Sequence, residues 1–379
     1  MNYIKNGMIV MPDRVISGRV LSYDDKIRGI ISESDIPRGA HVTDARGGYI
    51  TAGFIDLHIH GYRGADASDG NADGIKTMAL GIAENGVTSF LPTTMTVSPS
   101  ELNAALDSVR ECFAKSKSWN GAEILGVHAE GPFINPTKKG AQAEDNIQKP
   151  DADFIIRNSD IIRTATLAPE MDGGHACIKE IAAKTKIVMS IGHTDADYEE
   201  TLAAFADGVS HSTHLYNAMS PMQHRKPGVV SAVFASAMST EIIADTFHVH
   251  PGLFGIVAAI KGEKLILITD CTRAGGMPDG EYSLGGQPIY KKGIQCLLED
   301  GTIAGSVLRL NEALRNMKDN TSLPTEKIVA MATLNPAKII GEDWRIGSLD
   351  RGKDADIVLS DSDFNIKMTI KGGRTIYGS

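Results

Sequence analysis

Cysteine is scarce in this chain: four in 379 residues, at positions 112, 177, 271 and 296. None stands in a CxxC pair, which argues against a zinc knuckle, a redox dithiol or a disulfide framework. A reducing, cytoplasmic setting is therefore expected. Long apolar runs are missing too. No stretch approaches the ~18–20 residues needed to cross a bilayer, and the opening MNYIKNGMIVMPD lacks the basic-then-apolar layout of a signal peptide. No membrane partner is expected. Positive charge is in deficit, with 38 Lys and Arg against 47 Asp and Glu, a net −9. That balance argues against nucleic acid, because gripping a phosphate backbone takes clustered cations. A small anionic substrate needs only two or three. A GxSxG motif is also absent, so nothing marks a nucleophilic serine.

What is present is a rhythm. Strand-like runs at 54–60, 88–94, 122–130, 162–170, 186–193, 208–215, 241–248 and 264–270 alternate with helical stretches such as 73–84, 99–115, 173–184 and 195–206. Alternating strand and helix implies a parallel sheet, and eight such units predict an α/β fold closed as a (β/α)8 barrel. The barrel is placed at 53–340. Both ends read differently, as short alternating runs broken by turns such as Asn6-Gly7, Pro12-Asp13 and Gly47-Gly48. Residues 1–52 and 341–379 are expected to join in a small β-sandwich. The stretch 276–305, with turns at Asp279-Gly280, Gly285-Gly286 and Asp300-Gly301, predicts a hairpin insertion after the eighth strand.

Barrels of this kind build their sites at the C-terminal strand ends, and polar residues gather there. The first run closes with His58-Ile59-His60 and the third with His128-Ala129-Glu130. His193, His214, His248 and Asp270 close the fifth to the eighth. Residues two apart in a strand point the same way, so His58 and His60 share the interior. Neutral imidazoles with a carboxylate suit Zn²⁺ or Fe²⁺, one ion or two. A lone histidine at a strand end is ordinarily a hydrogen-bonded polar residue, and His41 and His175 keep that reading. Convergence of six strand ends points instead to a site.

Two loops add to it. EGPFINPTKKG, 130–140, follows the third strand and carries Lys138 and Lys139. Both lysines, like Lys226, read as a solvated loop face. HLYNAMSPMQHRKPG, 214–228, follows the sixth strand, and its Asn217 and Arg225 have the chemistry to hold a phosphate.

The motifs TAGFIDLHIHG, GVHAEGPF, TLAPE, SIGHTDA, STHLYNAM, HVHP and LITD, in this order over almost the whole chain, resemble those of the N-acetylglucosamine-6-phosphate deacetylases of the amidohydrolase superfamily. The resemblance implies that Glu130, His193 and His214 ligate a metal, and that His58 and His60 add a second ion sharing Glu130. Two ions are therefore predicted rather than one. It implies Asp270 as the catalytic acid and base, Asn217, the Ala218 backbone N–H and Arg225 as phosphate contacts, and His248 as a substrate contact. It also implies a homodimer. Three positions depart from the family's pattern. Gln142 stands where many members have a histidine against the acetamido carbonyl, Thr246 replaces a glycine, and Cys271 replaces a frequent alanine.

The expected reaction is hydrolysis of the acetamide of a 2-acetamido-2-deoxyhexose 6-phosphate, with the galacto epimer as the alternative. A cyclic amidase such as dihydroorotase is a further reading, but TLAPE offers no lysine for a bridging carbamate. A non-catalytic scaffold on the same barrel would have lost ligands or the aspartate, and all are present.

Overall fold

A computed structural model describes residues 1–378. Eight parallel strands form its centre: Phe54–Ile59 (β1), Val87–Thr94 (β2), Val127–Glu130 (β3), Ile162–Leu167 (β4), Val188–Ile191 (β5), Val209–Ser212 (β6), Ser239–Ile243 (β7) and Leu265–Ile268 (β8). Each pairs with the next in register order from β1 to β8. The ring closes just beyond β8, where Asp270 N–H donates to His58 O at 2.9 Å and His60 N–H to Cys271 O at 2.9 Å. The expected barrel is there, strand for strand.

Several helices begin where side chains cap free backbone N–H groups. Ser98 and Glu101 form a capping box at the start of Pro99–Ser116, and Asn71 caps Ala72–Ile82. The helix expected from 195 starts later, at Tyr198, under an Asp197 cap. The reason is a long-range clamp. Glu170, beyond β4, accepts from Asp195 N–H at 2.6 Å and from Thr194 Oγ1 at 2.5 Å, which holds residues 194–196 out of helical geometry.

Barrel interiors are usually filled by branched apolar side chains, but much of this one is polar. His128 Nε2 lies 2.7 Å from Thr166 Oγ1, which contacts Thr213 Oγ1 at 2.7 Å, and that hydroxyl meets Ser190 Oγ at 2.6 Å. Thr269 Oγ1 donates to Asp56 Oδ2 at 2.6 Å. Satisfied in this way, buried polar groups cost little, whereas a half-made network would be expensive. The outward faces of the strands and the helices supply the apolar packing, with Phe54, Phe90, Ile242 and Phe254 all fully buried.

Two further sheets carry the chain ends. One holds Asn2–Lys5, Val20–Tyr23, Ile27–Ile31 and His41–Asp44. The other joins Met8–Val10, Val15–Ile16 and Tyr49–Ala52 to Ile357–Ser360, Ile366–Lys371 and Arg374–Gly378. Ile4, Ile9, Leu21, Ile50 and Ile357 pack in their shared core. Tyr49–Ala52 feeds β1 through Gly53 alone, and a Cβ at Gly53 would lie 2.1 Å from Thr88 Oγ1. The strand that carries the HxH pair is thus anchored at its start. After β8, Gly280–Leu284, Gln287–Lys292 and Gln295–Leu297 form the expected antiparallel insertion.

Arg345 ties these parts together. Its guanidinium, only 10% exposed, reaches Glu123 at 3.0 Å, Glu342 at 2.6 Å and Asp354 at 3.0 Å. Removing one partner of a buried charge cluster strands the others. Arg345→Met is expected to lower unfolding stability by about 3 kcal/mol, read from the guanidinium chloride midpoint. The metal content of the folded protein should not change.

Candidate active site and metal centre

The strand ends open on a cavity of about 370 Å³, within the usual span for small-molecule sites. Its walls include His60, Glu130, His193, His214, Asn217, Ala218, His248 and Asp270, with Leu284, Thr302 and Ile303 from the insertion side. The backbone is bent to present them. His193, His214, Tyr216, Ala218, Thr246 and Asp270 all have positive φ, a region that non-glycine residues rarely occupy. Such strain concentrates at functional sites. Just before His193, β5 and β6 approach closely at Gly192, where a Cβ would sit 2.8 Å from Thr213 Cβ.

Glu130 is the meeting point. Its Oε1 lies 3.0 Å from His214 Nε2, 3.4 Å from His193 Nε2 and 3.4 Å from His58 Nε2. Its Oε2 lies 3.3 Å from His60 Nε2. Asp270 Oδ1 faces the same pair, 3.3 Å from His58 Nε2 and 3.1 Å from His60 Nε2. Two donor groups result: His58, His60 and Asp270, and Glu130, His193 and His214.

The tautomers fit a cation. His60 Nδ1–H donates to Thr93 O at 3.2 Å and His193 Nδ1–H to Lys138 O at 2.9 Å, so each leaves an Nε2 lone pair. His58 does the same through Glu241 Oε2 at 2.9 Å. The Nε2 atoms of His58 and His60 then stand 3.3 Å apart, and those of His193 and His214 3.1 Å apart. Facing lone pairs repel, and an ion between them turns repulsion into ligation. Donors ~2.0–2.1 Å from a tetrahedral ion lie about 3.3 Å apart. The donor set fits one divalent ion per group.

Burial disfavours charge here, but the partners outweigh it. Glu130 is held well below the usual carboxylate range by His58, His193 and His214, against burial that pushes it up. Burial lowers His58, yet Glu241, Glu130 and Asp270 raise it to about 9. Loading the site with metal must therefore displace protons.

Other sequence expectations come out mixed. Asn217 and Ala218 line the cavity, and Asn217 Nδ2 donates back to His214 O at 3.2 Å. His248 lines it as well, with Nδ1 committed to Asp245 Oδ2 at 2.6 Å. Gln142 lines it too but is engaged at both ends. Its Nε2 donates to Glu130 Oε2 at 2.7 Å and its Oε1 accepts from Thr96 N–H at 2.7 Å, so its contact in this structure is with a carboxylate. Arg225 does not reach the cavity, because residues 221–226 are all exposed. Lys138, read from the sequence as a solvated lysine, is in the cavity wall, 3.1 Å from Asp195. The correction has a simple origin: the loop after β3 folds inward so that Lys138 O can accept from His193.

Residues 49–376 match the amidohydrolase family. N-acetylglucosamine-6-phosphate deacetylase of Bacillus subtilis is 39% identical, over 99% of this chain and 96% of that one. The chain belongs to the amidohydrolase family, among the N-acetylglucosamine-6-phosphate deacetylases. The crystal structure of the Pasteurella multocida deacetylase of that name superposes with a TM-score of 0.94 at 32% identity, covering 99% of both chains. N-acetylgalactosamine-6-phosphate deacetylase of Escherichia coli O157:H7 is also similar, 34% identical over 89% of this chain and 90% of that one.

Two buried residues of this amidohydrolase escaped the sequence reading. Glu241 on β7 accepts from His58, and its other oxygen lies 3.2 Å from His211 Nε2. The signal was available, since a carboxylate inside the apolar run TEII is unusual in a buried strand.

Two donor groups predict two ions. Elemental analysis of metal-replete protein should give two per chain, and His58→Ala with His60→Ala should reduce that to one. Calorimetry near pH 7 in buffers of different ionisation enthalpy should detect protons released on loading. One ion per chain, unchanged by the substitutions, would refute the assignment.

Proposed function

We propose that the chain hydrolyses the acetamide of N-acetyl-D-glucosamine 6-phosphate, giving D-glucosamine 6-phosphate and acetate, as a step of amino-sugar breakdown and recycling. The observation that carries this reading is the pair of donor groups joined at Glu130, with Asp270 on the cavity wall beside them. Relatives that share the whole length of the chain bear the same name.

His58, His60 and Asp270 would hold one ion and Glu130, His193 and His214 the other, with Glu130 close to both groups; Zn²⁺ or Fe²⁺ suits these donors. Bound there, divalent ions polarise the amide carbonyl and acidify the attacking water. Asp270 takes a proton from that water as the oxygen adds to the carbonyl carbon. It then gives the proton to the amine nitrogen as the C–N bond breaks, so acetic acid and a neutral amine form and Asp270 is restored. The acid's proton then passes to the amine, giving acetate and the ammonium form of the sugar. His248 and Gln142 bound the acetamido and sugar side, with Gln142 holding Glu130 in place.

Asn217, the Ala218 N–H and Arg225 hold the phosphate, and Lys138 adds a weaker cation because Asp195 partly neutralises it. Arg225 stands outside the cavity wall on the exposed loop 221–226, so its hold on the phosphate requires that loop to fold over the bound sugar. Binding energy gained at the phosphate, far from the amide, orients the reacting group. The galacto epimer is the second reading, favoured by the Escherichia coli relative. An acetate-release assay on both epimeric 6-phosphates decides between them. Four free cysteines suit a reducing cytoplasm, and exposed Met222, Ile256 and Ile260 suit a homodimer. No helix among the described residues is long and apolar enough to cross a membrane.

Asp270→Asn should keep the fold and substrate binding, yet lose turnover by at least ~10²–10⁴-fold. Near-normal acetate release would move the proton transfer to another group. Arg225→Ala should lose about 10- to 150-fold in kcat/KM on the 6-phosphate, since hydrogen bonds to charged groups are worth roughly 1.5–3 kcal/mol. Lys138→Ala should lose less. Neither should matter for the unphosphorylated sugar, and an equal loss on both substrates would reduce the residue to loop support.

A further inference from the structure

One buried carboxylate touches both donor groups without belonging to either. Glu241 is fully buried on β7. Its Oε2 accepts His58 Nδ1–H at 2.9 Å and, at 3.0 Å, the backbone N–H of His214. Its backbone O accepts Leu215 N–H at 3.0 Å, which holds the next residue of the same bend. His58 belongs to one donor group and His214 to the other. The bend at His214 has φ of +28°, and an unfavourable backbone of that kind persists only where its surroundings over-determine it.

Behind Glu241 the polar contacts continue. Its Oε1 lies 3.2 Å from His211 Nε2, and His211 Nδ1 lies 2.7 Å from Ser239 Oγ. Ser239 Oγ–H in turn donates to Ser210 O at 3.2 Å. His211 thus lies between Ser239 and Glu241, one ring nitrogen turned to each.

His58, His128 and Glu241 also lie close enough together to suggest a third cation group. The hydrogen bonds argue otherwise. His128 Nδ1–H is committed to Leu57 O at 3.2 Å, and its Nε2 is occupied by Thr166 Oγ1 at 2.7 Å. His58 gives its Nδ1 proton to Glu241. No lone pair in that triangle remains for a metal, apart from those of the carboxylate itself.

We infer that Glu241, backed by His211, is the positioning residue of the metal centre: it fixes His58 with Nε2 turned to the ion and pins the His214 bend, so the two ion sites are set by one carboxylate. The inference rests on the two-ion reading proposed above. A ligand histidine whose far nitrogen faces a carboxylate is a stronger donor, and loss of such a partner typically weakens metal binding 10–100-fold.

Glu241→Gln tests this, because it keeps the shape and removes the charge. Zn²⁺ affinity is measured by chelator competition on metal-free protein, alongside the visible spectrum of the Co²⁺-loaded chain and the melting temperature of the metal-free form. One Zn²⁺ should bind about 10–100-fold more weakly, with an altered Co²⁺ spectrum and a metal-free melting temperature close to that of the unaltered chain. The effect should vanish in a His58→Ala background, since a Gln at 241 still accepts the His214 N–H and His58 is the ligand through which the lost charge acts. Glu241→Asp, one methylene shorter, is the second variant should the amide fail to fold, and it should weaken the same ion. Unchanged Zn²⁺ affinities, or an equal loss with His58 absent, would overturn the inference and leave the two-ion reading standing. A chain whose ion count ignores His58→Ala would instead overturn the two-ion reading, and the inference with it.

Discussion

A carboxylate taken entirely out of water at the mouth of the barrel governs the site. Glu130 is buried, and an isolated buried charge is too costly to persist. Four imidazoles from three other strand ends, together with the Gln142 amide, compensate it. That requirement reaches far into the fold. It needs β5 and β6 close enough for Gly192 to be a glycine, a loop after β3 that turns back to give Lys138 O to His193, and a ring of strands closed tightly enough to bring β1 beside β8.

The same requirement explains the polar interior. Ligands on strand ends must be held from behind, and side chains that hold an imidazole must themselves be polar. Hydroxyls of Thr166, Ser190 and Thr213 and the Asp56–Thr269 contact fill the space where leucine or valine would otherwise pack. The barrel forgoes apolar packing inside and recovers it on the outer faces of its strands, where the helices lie. Stability and site geometry are thereby assigned to opposite faces of the same strands, in step with the two-residue period of the β-conformation.

Much of this was legible from residue order. Strand ends are marked by the switch from apolar runs to His, Glu or Asp, so all eight strands and the residues at their ends could be placed. The sorting of those residues into ligands rested on the family resemblance and left Asp270 out of the His58–His60 group. Reading failed where the deciding contact is remote in sequence. The helix expected from 195 starts three residues late because Glu170 holds the preceding loop. Lys138 sits in a loop that reads as solvated, and only the folded path puts it in the cavity wall. Glu241 opens the run read as the seventh strand, and its inward direction is fixed only once the barrel closes.

The barrel's seam coincides with its chemistry. The ring is completed by backbone hydrogen bonds among His58, His60, Asp270 and Cys271, three of which also face the donor groups. Any breathing of the cylinder at that seam separates His58 and His60 from Asp270, members of one donor group. An ion held by His58, His60 and Asp270 would act as a clasp across the gap. The fold is in this sense a ring whose fastening is the active site.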